Sequence, residues 1–176
     1  MEQDLRFPVG PYKRVENPTA AQRRDFVEAI AETPARLNAA IAGLTPAQLD
    51  TPYRPGGWTV RQVVHHLPDS HMNSYVRFKL ALTEDEPTIK PYDEARWAEL
   101  ADSKTTPIET SLALLENLHR RWVGLLRSMS ETDWKRKFRH PELGVVTLEQ
   151  ALGLYAWHGR HHVAHITALR ERNGWC

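Results

Sequence analysis

Four histidines lie within eight positions near the end of the chain, at His158, His161, His162 and His165. Residues four apart on a helix share one face, so two such imidazoles can bind the same metal ion. At about 100° per residue, His158 and His162 fall inside the apolar stripe of this segment, whereas His165 lies at its edge and His161 outside it. The spacing leaves two interpretations open: a metal site, or hydrogen-bonded histidines of a core or cavity.

A third imidazole is available on an earlier predicted helix. His66 shares one helical stripe with Gln62, Ser70, Asn73 and Arg77, along the edge of the apolar face. This stripe is either a solvated surface or the lining of a cavity between helices, where helical bundles place their sites. In the second case, three neutral imidazoles would leave an open position on an ion such as zinc or nickel.

A general base for such a site is not evident beside the ligands. Metalloproteases of the HExxH type carry a glutamate directly after the first histidine, and Gly159 takes that position here. Asp69, three residues after His66, is the nearest candidate, either as a base or as a group that orients an imidazole. The other histidines are interpreted as core, structural or surface residues: His65, His71, His119 and His140.

Four long helices with distinct start signals must position these residues. A capping box, which pairs a Ser or Thr with a Glu or Gln three residues later, opens each of them. The predicted ranges are 19–44, 59–82, 106–129 and 147–172. The boxes are Thr19/Gln22, Thr59/Gln62, Thr106/Glu109 and Thr147/Gln150, while Thr45/Gln48 opens only a short turn.

The links between these helices complete the fold prediction. Pro34 is expected to kink the first helix or divide it in two. The long crossing over 84–105 has room for a short helix near 93–100 and allows two neighbouring helices to run parallel. No convincing strand pattern is visible, although 143–146 could form a short extended piece. The sequence predicts an all-α four-helix bundle with a kinked first helix and short extra helices in the connections.

The composition fits one globular domain over 1–176 and excludes several classes of protein. Hydrophobic residues make up 41% of the 176 residues, and 23 basic against 22 acidic residues give a net charge of +1. This balance argues against a nucleic-acid-coating or membrane-surface protein. Without a signal-peptide pattern or a membrane-spanning segment, a cytoplasmic protein is expected. The single cysteine, Cys176, cannot form an internal disulfide and is not expected to act as a nucleophile at a chain end.

Two motifs in combination resemble the YfiT branch of the DinB-like superfamily. The first is GWTVRQVVHHL at 57–67 with DSHMN at 69–73, and the second is WHGRHHVAH at 157–165. The resemblance extends over nearly the whole chain and implies a four-helix bundle that holds one divalent ion, zinc or nickel, through His66, His158 and His162. Pro68 departs from the family pattern and is expected to kink the second long helix near the ion.

The resemblance also implies a function. It indicates a metal-dependent hydrolase that is often homodimeric and uses an activated water against a small-molecule substrate. One alternative is a transferase of a low-molecular-weight thiol, similar to a bacillithiol S-transferase, in which Asn73 and Arg77 would hold carboxylates of the thiol. Another is a non-catalytic bundle that the metal only stabilises.

Overall fold

Helices dominate the structure, a computed structural model that describes residues 4–175. Within this range lie four long helices, four short helices and a two-stranded sheet. In chain order the elements are α1 (Ala20–Ile41), α2 (Pro46–Leu49), α3 (Val60–Thr83), α4 (Glu94–Trp97), α5 (Ala101–Thr105), α6 (Ile108–Ser128), α7 (Glu131–Trp134), β1 (Lys137–His140), β2 (Gly144–Thr147) and α8 (Leu148–Asn173). The predicted four-helix bundle with short helices in its connections is confirmed, while Cys176 lies outside the described residues.

Local capping chemistry explains where most of the long helices begin. Complete capping boxes start α1, α3 and α8 at Thr19, Thr59 and Thr147, as predicted, and another starts α2 at Thr45. The box predicted at Thr106 is wrong. Thr106 is instead the C-cap of α5, and α6 begins after Pro107, which takes the N-cap position and has no side-chain oxygen to accept a hydrogen bond.

Both prolines inside long helices are accommodated without dividing them. Pro34 lies within α1 and Pro68 within α3, and each helix continues as one element. The alternative of a first helix in two pieces is therefore wrong. Because a proline has no N–H, each removes one hydrogen bond from its helix, and the carbonyl four residues earlier loses its intrahelical donor.

The bundle contains two hydrophobic clusters. One includes Ile30, Phe78 and Trp122, and the other includes Leu37 and Leu67. Going along the chain, α1 and α8 pass from the first cluster to the second, whereas α3 and α6 pass from the second to the first. The long crossing between α3 and α6 therefore joins two parallel helices, which the sequence allowed.

A layer of polar side chains separates the two clusters. On each long helix these residues fall between those of the two apolar clusters, and most are buried. The members of this layer are Thr33 on α1, Ser70, His71 and Ser74 on α3, His119 on α6, and His158 and His162 on α8.

A β-hairpin completes the wall beside the bundle and was not predicted as such. Strands β1 and β2 pair in antiparallel register, with Phe138 opposite Val146. The second strand includes residues 144–146 of the extended piece suggested at 143–146. Backbone bonds from Arg139 to Pro87 and from Ile89 to Arg139 attach the hairpin to the long crossing. Over residues 4–175, no helix combines the length and hydropathy needed to cross a membrane.

Candidate metal centre

Three imidazoles from two distant parts of the chain meet on one side of the polar layer. His66 on α3 and His158 and His162 on α8 each offer a ring nitrogen, and these three atoms lie within 4.8 Å of one another. The Nε2 atoms of His66 and His158 are 3.3 Å apart. The ring centroids of His66 and His162 are separated by 4.7 Å and those of His158 and His162 by 4.5 Å.

This arrangement fits a divalent ion. Two imidazole nitrogens bound at zinc distances in a tetrahedral site lie about 3.3–3.4 Å apart, which matches the separation between His66 and His158. Burial lowers the pKa of His66 to about 4 and holds the pKa values of His158 and His162 well below the ordinary histidine value. All three rings are consequently neutral at pH 7, which is the form that binds metals. Imidazole is a good ligand for both zinc and nickel, so the donor set does not choose between them.

A chain of buried groups continues from His158 across the bundle. Nδ1 of His158 lies 3.1 Å from Nε2 of His71, and Nδ1 of His71 lies 2.8 Å from Nε2 of His119. Nδ1 of His119 donates to the Ile30 carbonyl at 2.7 Å. Burial lowers the pKa of His119 to about 4 and that of His71 well below its usual range. His71 is thus the core histidine that was expected, and His119 is structural.

A second group of histidines lies next to the first. His161, His162 and His165 also bring one nitrogen each within 4.8 Å of the others. His161 and His165 are 8% and 3% exposed, so both are buried although helical spacing places them outside the apolar stripe or at its edge. They are buried because the segment before α1 covers this face of α8. His165 donates to the Arg6 carbonyl, and Phe7 packs beside His161.

The three proposed ligands open into a cavity of about 900 Å³. Its walls include aromatic side chains, with the Trp58 ring 4.7 Å from that of His66 and the Tyr155 ring 5.5 Å from that of His158. Ser70 and Arg77 also line it, so part of the stripe of His66 faces a cavity and not bulk solvent. Ser70 Oγ lies 3.4 Å from Nε2 of His158.

Asn73 and Asp69, the remaining predicted site residues, do not line this cavity. The Asn73 amide donates to the backbone carbonyl of Asp69, four residues earlier. Asp69 is half-buried, and burial together with the charge of Asp102 raises the pKa of its carboxyl to about 6. Within residues 4–175, no hydrogen bond joins Asp69 to the three proposed ligands. The pKa suits a general base, but the position does not place the carboxylate beside them.

Sequence reasoning missed several residues around the site. Arg54 and His140 line the cavity, and neither had been assigned a role in it. The bond between His71 and His119 could not be inferred, because it depends on which helices are neighbours. One signal was present: Pro34 marks a helical carbonyl without its usual donor, and that carbonyl belongs to Ile30.

Comparison with known proteins agrees with the geometry. The DinB superfamily matches residues 29–166. A Bacillus subtilis protein named "Putative metal-dependent hydrolase YfiT" is 56% identical over 173 residues, covering 98% of this chain and 97% of that protein. A Bacillus mycoides protein with the same description is 57% identical over 172 residues, covering 98% of this chain and 99% of its own length.

Two solved structures share the architecture. That of YfiT from Bacillus subtilis, described as an unusual four-helix bundle topology, superimposes with a TM-score of 0.95 at 55% identity, over 98% of this chain and 99% of that one. The four-helix bundle protein TT2238 superimposes with a TM-score of 0.61 at 20% identity over 83% of this chain and 98% of its own, which shows a common fold only. The chain belongs to the DinB superfamily and to its YfiT-like members.

Proposed function

We propose that this protein is a metal-dependent hydrolase in which His66, His158 and His162 hold one zinc or nickel ion. The observation that carries the proposal is the convergence of three neutral imidazoles, from α3 and α8, at the wall of a cavity. The names of its relatives support the same activity. A bound divalent cation supplies electrophilic assistance to hydrolysis by polarising a substrate oxygen and acidifying water.

The residues of the chain bind and orient the substrate. Trp58 and Tyr155 pack against two of the ligating rings and form apolar walls, which keep the local dielectric low and strengthen polar interactions in the site. Arg77 lines the cavity and has no salt-bridge partner among residues 4–175, so it is available for an anionic group of the substrate. We propose that Asn73 and Asp69 act indirectly, through the backbone and charge of α3, because neither lines the cavity.

Transfer of a low-molecular-weight thiol is the second candidate. Arg54 and Arg77 favour it, because they line the cavity and can pair with the carboxylates that such thiols commonly carry; Asp93, Glu94 and Glu142 line the same cavity. No carboxylate lies within hydrogen-bond distance of the three imidazoles in the described residues. A homodimer and a cytoplasmic location belong to the same proposal and rest on the resemblance alone. Light scattering of the purified protein tests the first.

Turnover assays with zinc- or nickel-loaded protein distinguish the candidates. The protein is offered ester and amide substrates, and separately a thiol with an epoxide or chloro-aromatic acceptor. We expect hydrolysis of an ester or amide that is lost in His158→Ala. Activity only in the presence of thiol would replace the hydrolase by the transferase. No turnover with either, together with a large fall in melting temperature on chelation, would indicate a metal that only stabilises the bundle.

The same assay tests the role of Asp69. Removal of a general base typically lowers the rate by about 10²–10⁴-fold. Because Asp69 lies outside the cavity lining, we expect Asp69→Asn to lower kcat by less than that. A loss within that range with unchanged metal content would identify Asp69 as the base.

A further inference from the structure

A continuous chain of imidazoles runs from the cavity to a backbone carbonyl on another helix. His158, His71, His119 and the carbonyl of Ile30 follow one another at 3.1, 2.8 and 2.7 Å. Each distance is that of a hydrogen bond. The four groups come from α8, α3, α6 and α1, so every long helix of the bundle contributes one member.

The Ile30 carbonyl fixes the direction of every hydrogen bond in this chain. A carbonyl oxygen can only accept, so Nδ1 of His119 must carry a proton. A neutral His119 then accepts at Nε2 from Nδ1–H of His71, and Nε2 of His71 accepts from Nδ1–H of His158. Nε2 of His158 is left with its lone pair, 3.3 Å from Nε2 of His66.

Burial keeps this direction from reversing. A charged His119 or His71 would donate from both nitrogens and force the opposite tautomer on His158. The rings of His71 and His119 are 0% and 2% exposed, and no carboxylate bonds either ring within residues 4–175. An unpaired charge in such a position is strongly disfavoured.

Pro34 explains why the Ile30 carbonyl is available to His119. In an α-helix this carbonyl would accept from the N–H of residue 34, and proline has none. Ile30 is 0% exposed, so bulk water does not reach its carbonyl to supply the missing donor. His119 therefore satisfies a carbonyl that the helix itself leaves without a partner.

We propose that His71, His119 and the Ile30 carbonyl are positioning groups that hold His158 in the Nδ1–H tautomer, with its Nε2 lone pair directed to the ion site. We call this chain of hydrogen bonds the relay. Its role in metal binding rests on the proposed function, because the lone pair of His158 is directed to the cation. Ligating histidines in metal sites usually donate their second nitrogen to a carboxylate or carbonyl. Here two further imidazoles connect the ligand to its carbonyl.

The tautomer is measurable without metal. Nitrogen-15 NMR of the metal-free, full-length protein at pH 7 reports which ring nitrogen of each histidine carries the proton. We expect protonated Nδ1 and bare Nε2 at His158, His71 and His119. A proton on Nε2 of His158 would overturn the relay even if the protein binds zinc. Failure to bind zinc or nickel despite the expected tautomer would overturn the proposed function and leave the tautomer assignment standing.

Variants separate positioning from general stability. His119→Phe should weaken zinc affinity by about 10–100-fold, the usual effect of losing a group that orients a ligand. It should also give His158 a mixture of tautomers. His119→Gln, whose amide retains an acceptor and a donor, should restore most of the affinity. If His119→Phe fails to fold, the NMR measurement on the wild type decides alone.

His65→Phe is the matched control. His65 is a buried histidine whose ring bonds the Thr106 carbonyl and Ser111, and it takes no part in the relay. This variant should lose stability while His158 keeps its tautomer and zinc affinity stays unchanged. An equal loss of zinc affinity in His65→Phe and His119→Phe would show general loosening of α3 and would overturn the proposal.

Discussion

The clustered histidines of α8 differ in the hydrogen-bond partners of their ring nitrogens. Nδ1 of His158 is hydrogen-bonded to His71, whereas Nδ1 of His162 is buried without a hydrogen-bond partner within the described residues. His165 donates to the Arg6 carbonyl, and this bond leaves Nδ1 as its free lone pair. Burial alone therefore does not identify the ligands, because His161 and His165 are as buried as His66 and His162. Position at the cavity does not identify them either, since both groups line it. What distinguishes His158 is the hydrogen bond from its second nitrogen to His71.

The two overlapping histidine groups give opposite expectations for alanine variants. If His66, His158 and His162 hold the ion, His66→Ala and His158→Ala should each eliminate one-to-one zinc binding, because a two-imidazole site loses most of its affinity. His161→Ala and His165→Ala should retain it. Elemental analysis combined with titration calorimetry measures both. If His158→Ala retained zinc binding and His165→Ala lost it, the ion site would instead be formed by His161, His162 and His165.

Among the elements, α8 carries two of the three proposed ligands and packs closely against α1. A Cβ added at Gly159 would lie 2.5 Å from Oγ1 and 2.9 Å from Cγ2 of Thr33 on α1. Thr33 is buried and β-branched, so it has little freedom to move away. Gly159 thus sets how near α8 comes to α1, and with it the position of the neighbouring His158.

Gly159→Ala is expected to destabilise the protein by about 1–3 kcal/mol, the usual cost of overpacking a core. Urea unfolding measures the change. Thr33→Ala in the same chain removes both of the closest atoms and should recover most of the loss. Gly124→Ala, on an exposed part of α6 with no atom within 4 Å of the added Cβ, should instead gain about 0.5–1 kcal/mol. An unchanged stability in Gly159→Ala would contradict the close approach of the two helices.

The same elements show which structures a sequence can predict. Capping boxes at Thr19, Thr59 and Thr147 are complete within four residues, so the sequence alone locates those helix starts. The hairpin depends on pairing and on its backbone bonds to residues 87–89, which lie some fifty positions away, so its short strands carried little local signal. Likewise, helical periodicity predicted the faces of His66 and His158 but could not predict which helix lies opposite.

For the whole molecule, the buried histidines connect stability to pH. Burial lowers the pKa of His66 and His119 to about 4, below the ordinary value near 6.5 of the unfolded chain. Between these pH values the unfolded state binds more protons, so acidification favours unfolding. Asp69 acts in the opposite direction, because its pKa of about 6 in the folded state lies above the ordinary 3.8.

The metal-free protein should therefore lose stability as the pH falls from 7 to 5. His66 and His119 together should account for about 2–4 kcal/mol of this loss, a large share of the typical 5–15 kcal/mol of a domain. Asp69→Asn should be more stable than the wild type at pH 8 and lose more on acidification. Urea unfolding at several pH values measures both effects. Stability that is constant between pH 7 and 5 in Asp69→Asn, where the opposing titration of Asp69 is absent, would show that these histidines are not buried as neutral rings.

The chain of imidazoles also bears on how this sequence selects one architecture among its competitors. Apolar side chains on four amphipathic helices can be buried in several arrangements, including a helix shifted by one turn or a bundle of the opposite handedness, with little difference in hydrophobic area. Only the native arrangement brings a donor from α8, two rings from α3 and α6, and the α1 carbonyl that Pro34 leaves without a helical donor into one line. Any misassembled bundle would strand these polar groups in an apolar interior at high cost. The hydrogen bonds that connect His158 to the Ile30 carbonyl therefore also favour the arrangement in which each long helix has its native neighbours and its native position along the bundle axis.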